Sequence, residues 1–323
     1  MSKSPQQVDD EVAAFLATIP AGPELTRESL PAIRAAREAA PLPTLSDEVE
    51  RTTVVVPADS PVSLRISRPR GVTGSLPCIY SIHGGGFING SAVRDDARFD
   101  DWCRRLQCVG ISVDYRLSPE TSYPGPLDDC YAGLKWVFEN ADLLGIDPQV
   151  IGLVGVSAGG GLAAGAALRA RDAGELPIAF LLLQAPMLDD RLVTPSSRWE
   201  DVPVWGPRSN AFGWQAYLGD LHGRDDVPAY AAPARAVDVS GLPPTYIGVG
   251  SMDGFHDEDV EFALRLTQAG VPTDLHVYAG APHAFDLPDC TATVAARSRV
   301  DSFDWLLRQL TTRRTVLTAS AGG

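Results

Sequence analysis

The chemistry this chain could perform begins with one serine. Ser157 lies in Gly155-Val156-Ser157-Ala158-Gly159, where an apolar run, VIGLVGV, gives way to GLAAGAALRARD. A strand turning sharply into a helix lifts such a hydroxyl above a sheet edge and holds it as a nucleophile. Gly155 and Gly159 remove Cβ atoms that would crowd the turn. The plain alternative is a glycine-rich packing turn with no chemistry. A second string, His83-Gly84-Gly85-Gly86-Phe87, follows the apolar run LPCIYSI. Glycines there leave backbone N–H groups free, and those of Gly85 and Gly86 with that of Ala158 would make a three-donor site for an oxyanion. The alternatives are a flexible turn or a phosphate nest, but a phosphate loop would end in GK[ST], which is missing.

A serine nucleophile needs a base, and the chain offers five histidines: His83, His222, His256, His276 and His283. His83 belongs to the glycine string, His222 to an aromatic-rich interval, and His256 opens an acidic helix. His276 alternates within DLHVY. His283, in GAPHAFD, follows the last strand candidate on its carboxyl side, where functional groups collect in open α/β sheets. The carboxylate should follow another strand, and Asp253 comes directly after TYIGVGS. Asp257, Glu258 and Asp259 read instead as solvated acids at a helix start, stabilised by its dipole.

Elements that would carry these groups follow from hydrophobic period. Val62, Leu64 and Ile66 alternate with polar residues, and PADSP at 57–61 joins them to RTTVVV, which predicts an antiparallel pair at a sheet edge. Buried strands are expected at 76–82, 108–114, 150–156, 178–184, 245–250 and 274–278. Helical patterns at 124–143, 158–173 and 256–269 fall between several of them. Such alternation predicts an α/β fold, a mostly parallel sheet with helices on both faces. Val12, Phe15, Leu16 and Ile19 predict one helix after Asp9 and Asp10, and Leu30, Ile33, Ala36 and Ala40 a second. A last helix is expected over about 294–311. Residues 188–228 break the alternation with Trp199, Trp205, Phe212, Trp214 and Tyr217 among prolines and charges, the composition of a lid or of aromatic packing.

Composition excludes several functions. The 323 residues carry 27 basic and 41 acidic side chains, net −14. That balance argues against nucleic acid and against anionic membrane surfaces. Val150 to Leu168 runs uncharged for nineteen residues, but its six glycines suit a buried strand, turn and helix rather than a membrane span. Five cysteines without a CxxC pair read as reduced, packed thiols in a cytoplasmic protein. The polar, acidic start is no secretory signal. No HExxH is present, and the HDED run at 256–259 reads as a solvated helix start, so no metal is expected.

HGGGF at 83–87, DYRLSPE at 114–120, GVSAGGG at 155–161, D-x-x-x-DE from Asp253 to Glu258 and H-x-F at 283–285 stand in order along the chain. In this combination the chain resembles the hormone-sensitive-lipase-like (family IV) carboxylesterases. The order Ser157, Asp253, His283 is that of α/β-hydrolases. The resemblance implies the α/β-hydrolase fold with a helical cap, built from residues 1–45 and an insertion at 188–228. The catalytic core would then be 46–187 with 229–315, and 316–323 a flexible tail. It further implies a serine esterase with Ser157, Asp253 and His283 as triad and Gly85, Gly86 and Ala158 as oxyanion hole. His83, with Gly84, Gly155 and Gly159, would be structural support, and DYRLSPE a scaffold for the glycine loop. The expected substrate is a small-molecule, short-chain ester, with no cofactor, and relatives often form homodimers through the last strands. Amide or lactone hydrolysis on the same triad, or a non-catalytic ligand receptor, are the alternatives. Three departures stand out: Val156 beside the nucleophile, Ala284 after the base, and Ser118 in DYRLSPE.

Overall fold

In the computed structural model, residues 3–19, 25–57 and 61–320 are described, with side chains as far as 311. Eight strands form one sheet: β1 (Val49–Val56), β2 (Val62–Pro69), β3 (Leu76–Ile82), β4 (Val109–Asp114), β5 (Ile146–Val156), β6 (Leu181–Gln184), β7 (Thr245–Gly250) and β8 (Thr273–Tyr278). Their order is β1-β2-β4-β3-β5-β6-β7-β8. β1 and β2 pair antiparallel at one edge, as expected, and β2 pairs antiparallel with β4. Every other pairing is parallel. The PADSP turn expected at 57–61 lies largely outside the described residues.

Helices cover both faces. On one face lie α4 (Gly125–Glu139), α6 (Ala158–Ala173) and α8 (His256–Gln268), in one apolar cluster with Cys78, Tyr80 and Ile82 of β3, α8 itself packing on β7 and β8. On the other, α3 (Asp96–Leu106) and α9 (Thr293–Ser320) meet Ile79 of the same strand together with Val154 and Leu182. That split is the two-residue period of a strand buried on both sides. Short α5 (Ala141–Leu144) follows α4. α9 runs to Ser320, well beyond the end expected near 311. Residues 321–323 of the expected tail lie outside the described residues.

The glycines of α6 have a packing reason. A Cβ on Gly159 would stand 2.0 Å from the Ile82 carbonyl oxygen, and one on Gly161 2.1 Å from that of Met187. The helix therefore lies against backbone, and this closeness offsets its poor intrinsic propensity. Among the described residues no helix is long and apolar enough to cross a membrane.

Two N-terminal helices sit apart from the sheet. α1 (Asp10–Leu16) is capped by the Asp9 carboxylate, which accepts from the N–H groups of Glu11 and Val12. Ile19 was expected on its apolar stripe, but the helix ends first and Ile19 is exposed. α2 (Leu30–Ala39) buries Leu30 against Ile88, Phe212 and Ala216. The last two belong to α7 (Pro207–Leu218), the one long helix in the aromatic-rich interval.

Candidate active site

Register places the functional loops. Ile82 pairs with Gly155, Val156 with Gln184, and Gly250 with Tyr278, so the carboxyl ends of five parallel strands lie along one edge. The loops carrying His83, Ser157, Asp253 and His283 all leave the sheet from that carboxyl edge. This is where open α/β sheets bind ligands.

Ser157 occupies the turn between β5 and α6 at φ 56° and ψ −122°, a conformation side chains rarely adopt. Such strain persists only where surroundings enforce it. Here its N–H donates to the Gln184 carbonyl (2.8 Å), and its own carbonyl accepts from Met187 N–H (3.0 Å). A Cβ on Gly155 would collide with the Gly159 carbonyl at 2.3 Å, so the turn closes only with glycine there.

His283 bridges the other two groups. Its Nδ1 lies 2.8 Å from Asp253 Oδ2 and its Nε2 3.0 Å from Ser157 Oγ. All three side chains are buried. A carboxylate on Nδ1 fixes the proton there, which leaves the Nε2 lone pair to accept from the serine hydroxyl. The second Asp253 oxygen accepts from Phe255 N–H (3.0 Å). The loops of Asp253 and His283 zip together: Ser251 N–H donates to Tyr278 O, Met252 N–H to Ala281 O, and Gly280 N–H to Ser251 Oγ. Gln184 Nε2 donates to Asp286 and ties the histidine loop to β6.

The glycine loop lies against the serine. A Cβ on Gly84 would sit 2.8 Å from the Val156 carbonyl and 3.3 Å from Ser157 Cβ. Gly85 and Gly86 have φ of 125° and 63°, open to glycine. Among the described residues the N–H groups of Gly85, Gly86 and Ala158 have no acceptor. Ala158 opens α6, where the first N–H groups of any helix lack intrahelical partners.

His83 stacks on Tyr115 (4.2 Å between centroids), whose hydroxyl donates to the His83 carbonyl. Burial pushes the imidazole pKa below its ordinary value. Its contacts are with the loop, and Ser118 N–H donates to the Phe87 carbonyl (2.9 Å). The 114–120 string therefore braces the glycine loop.

A model of the alpha/beta hydrolase fold family matches residues 79–287. The chain belongs to this family. Esterase LipI of Mycobacterium tuberculosis is 35% identical over 231 residues, 67% of this chain and 71% of LipI. Carboxylesterase NlhH of the same organism is 37% identical over 230 residues, 70% of this chain and 72% of NlhH. The solved structure titled Bacterial Heroin Esterase is 40% identical, with a TM-score of 0.88 over 94% of this chain and 98% of that one. Together they make this α/β-hydrolase a carboxylic ester hydrolase.

One expectation about this hydrolase is overturned. Glu258 and Asp259, read as solvated helix-start acids, are 2% and 0% exposed. Glu258 Oε1 accepts from the N–H groups of Leu188 and Asp189, which fold over the start of α8. Burial, with nearby carboxylates including Asp253, pushes both carboxyls well above the ordinary range. Asp257 stays at the rim and accepts from Ser196 N–H.

Sequence reasoning also missed Arg34. From α2 its guanidinium donates to the carbonyls of Ile88 (2.8 Å) and Ser118 (2.7 Å) and pairs with Glu120. It joins an N-terminal helix both to the end of the glycine loop and to the string that braces it. Nothing local to Arg34 signals this, because its partners lie 54 and 84 residues away.

Proposed function

We propose that Ser157 is the nucleophile of a serine carboxylesterase acting on short-chain esters of small molecules. The observation that carries the reading is His283, within hydrogen-bond reach of both Asp253 and Ser157. As Oγ attacks the ester carbonyl, its proton passes to Nε2, and Asp253 stabilises the imidazolium without itself taking the proton. The carbonyl oxygen becomes an oxyanion on the N–H groups of Gly85, Gly86 and Ala158, each donor worth roughly 3 kcal/mol. Collapse breaks the bond to the alcohol oxygen, which takes the proton from Nε2. Water then attacks the acyl-enzyme by the same route and releases the acid.

The segment 1–45, through its α2, and residues 188–228 are proposed as the cap over this site, supported by the packing of α2 against α7 beside the glycine loop. A reducing, cytoplasmic location is supported by five buried, unpaired cysteines. The homodimer expected of relatives would use the edge strand β8, where Leu275 and Val277 are exposed.

The test is hydrolysis of nitrophenyl esters from acetate to palmitate by wild type and Ser157→Ala. Activity should peak at short chains, and the variant should lose turnover by on the order of 10⁶. Near-normal rates in the variant overturn the nucleophile. A rate still climbing past about ten carbons overturns the short-chain preference.

A further inference from the structure

Trp205 is the one aromatic of the 188–228 interval that touches the oxyanion loop and also faces the base. A Cβ built on Gly86 would lie 2.2 Å from its Cη2 and 2.7 Å from its Cζ2, so the benzo edge of the indole rests on the Gly86 backbone. Its ring centroid is 6.4 Å from that of His283, tilted by 43°. α7 backs this arrangement: a Cβ on Gly213 would meet the Gly86 carbonyl at 3.0 Å and Trp205 Cζ2 at 3.4 Å. The His283 ring is thus flanked by the Phe255 edge (5.1 Å, 87°) and by Trp205.

The turn that delivers Trp205 is strained. Val204 has φ 71°, a true outlier for a β-branched side chain, and is itself exposed. Trp205 N–H donates to the Pro203 carbonyl (2.9 Å), two residues back. That bond across a positive-φ residue is the rare, strained form of γ-turn. Nothing is gained by the valine's exposed side chain, so the strain is offset by what the turn does with its neighbour. Strained backbone collects at ligand-contacting sites for this reason. The indole Nε1 is buried with no partner among the described residues.

We infer that Trp205 is a specificity-determining residue that limits the size of the alcohol half of the ester, not the acyl half. The inference rests on the esterase reading above. In the tetrahedral intermediate four groups surround the carbon: Ser157 Oγ, the oxyanion, the alcohol oxygen and the acyl carbon. The oxyanion points to Gly85 and Gly86, and the alcohol oxygen must point to His283 Nε2 to receive its proton. A wall that touches Gly86 and faces His283 spans the directions of those two oxygens. In a tetrahedron the bisector of two substituents points away from the other two, which here are Oγ and the acyl carbon. Substituents on the alcohol oxygen therefore meet the indole, and acyl carbons extend away from it.

Two substrate series with wild type, Trp205→Ala and Trp205→Phe separate the halves. One series holds acetate constant and enlarges the alcohol from methyl to 1-naphthyl. The other holds nitrophenol constant and lengthens the acyl group from acetate to octanoate. The kcat/KM ratio of 1-naphthyl to methyl acetate should rise at least about tenfold in Trp205→Ala, with Trp205→Phe between. The octanoate-to-acetate ratio should stay within about threefold of wild type. A shift in the acyl series instead, or unchanged ratios in both, overturns the assignment, and Trp205→Phe carries the test if the alanine variant does not fold. Wild type inactive on every ester would overturn the esterase reading itself, a different outcome from either of these.

Discussion

Ala284, directly after His283, stands at φ 56°, where glycine is at ease and an L side chain is strained by about 1–2 kcal/mol. Ala284→Gly should relieve that strain and lose part of the gain to unfolded-state entropy, for a net stabilisation of about 0.5–1 kcal/mol. Thermal unfolding of the two forms measures it, and a lower midpoint for the glycine form contradicts the strain argument. Asp253→Asn should keep the geometry but leave an amide that no longer fixes the tautomer, with kcat falling about 10⁴ at neutral pH. Glu258 and Asp259 raise a different expectation. Their folded-state pKa values lie above those of the unfolded chain, so the fold keeps protons that the unfolded chain releases. Stability is then full below the unfolded value of roughly 4 and declines as pH rises towards the raised folded values. Glu258→Gln keeps an oxygen for Leu188 and Asp189, and its unfolding midpoint should gain on wild type between about pH 5 and about pH 8. A gap that narrows over that range would count against buried, protonated Glu258. Ser157, Asp253 and His283 were legible because each is marked by its own neighbours in sequence. Glu258 was not, because the segment at 188–189 that covers it lies about seventy residues upstream.

At the level of elements, the strands were the most readable part of the chain. β3 and β7 are buried along their whole length and appear as nearly continuous apolar runs, interrupted only by Ser81 and Thr245. α3 escaped notice because only Phe99, Cys103 and Leu106 among its apolar residues are buried, in a sequence otherwise crowded with Asp and Arg. Its spacing of i, i+4, i+7 was the available signal. α2 shows what periodicity cannot convey: its apolar side meets α7, but its hold on the glycine loop is the polar Arg34. Removing that side chain leaves the Ile88 and Ser118 carbonyls without their charged donor, a loss of about 2 kcal/mol. Arg34→Ala should therefore lower the unfolding midpoint and, if the proposed oxyanion donors sit on the glycine loop it steadies, kcat as well. Arg34→Lys should not restore either, because one ammonium cannot reproduce the guanidinium fork. Recovery of wild-type kcat by the lysine form would show that charge alone suffices.

Seen whole, the molecule carries a net charge of −14. That field repels anionic substrates and is screened by salt, with a Debye length of about 10 Å at 0.1 M. An ester bearing a free carboxylate should be hydrolysed more slowly than its uncharged analogue of equal size, and the gap should close as ionic strength rises. A ratio indifferent to salt would mean that the pocket, not the global field, discriminates. The segment entering α1, with the first turn of that helix, reaches across this whole. Asp9 N–H donates to the Gly280 carbonyl, Gln6 accepts from Ser251 Oγ, and Val12 packs with Ala281 and Phe285 on the histidine loop. Its docking surface comes from residues roughly 200 to 270 positions later in the chain, Asp201, Ser251, Met252 and Gly280 among them. Closing so long a span is entropically slow, and contacts of high sequence separation form late. On refolding from denaturant, helix signal should therefore return before esterase activity, the two separated by the time this segment takes to find its place.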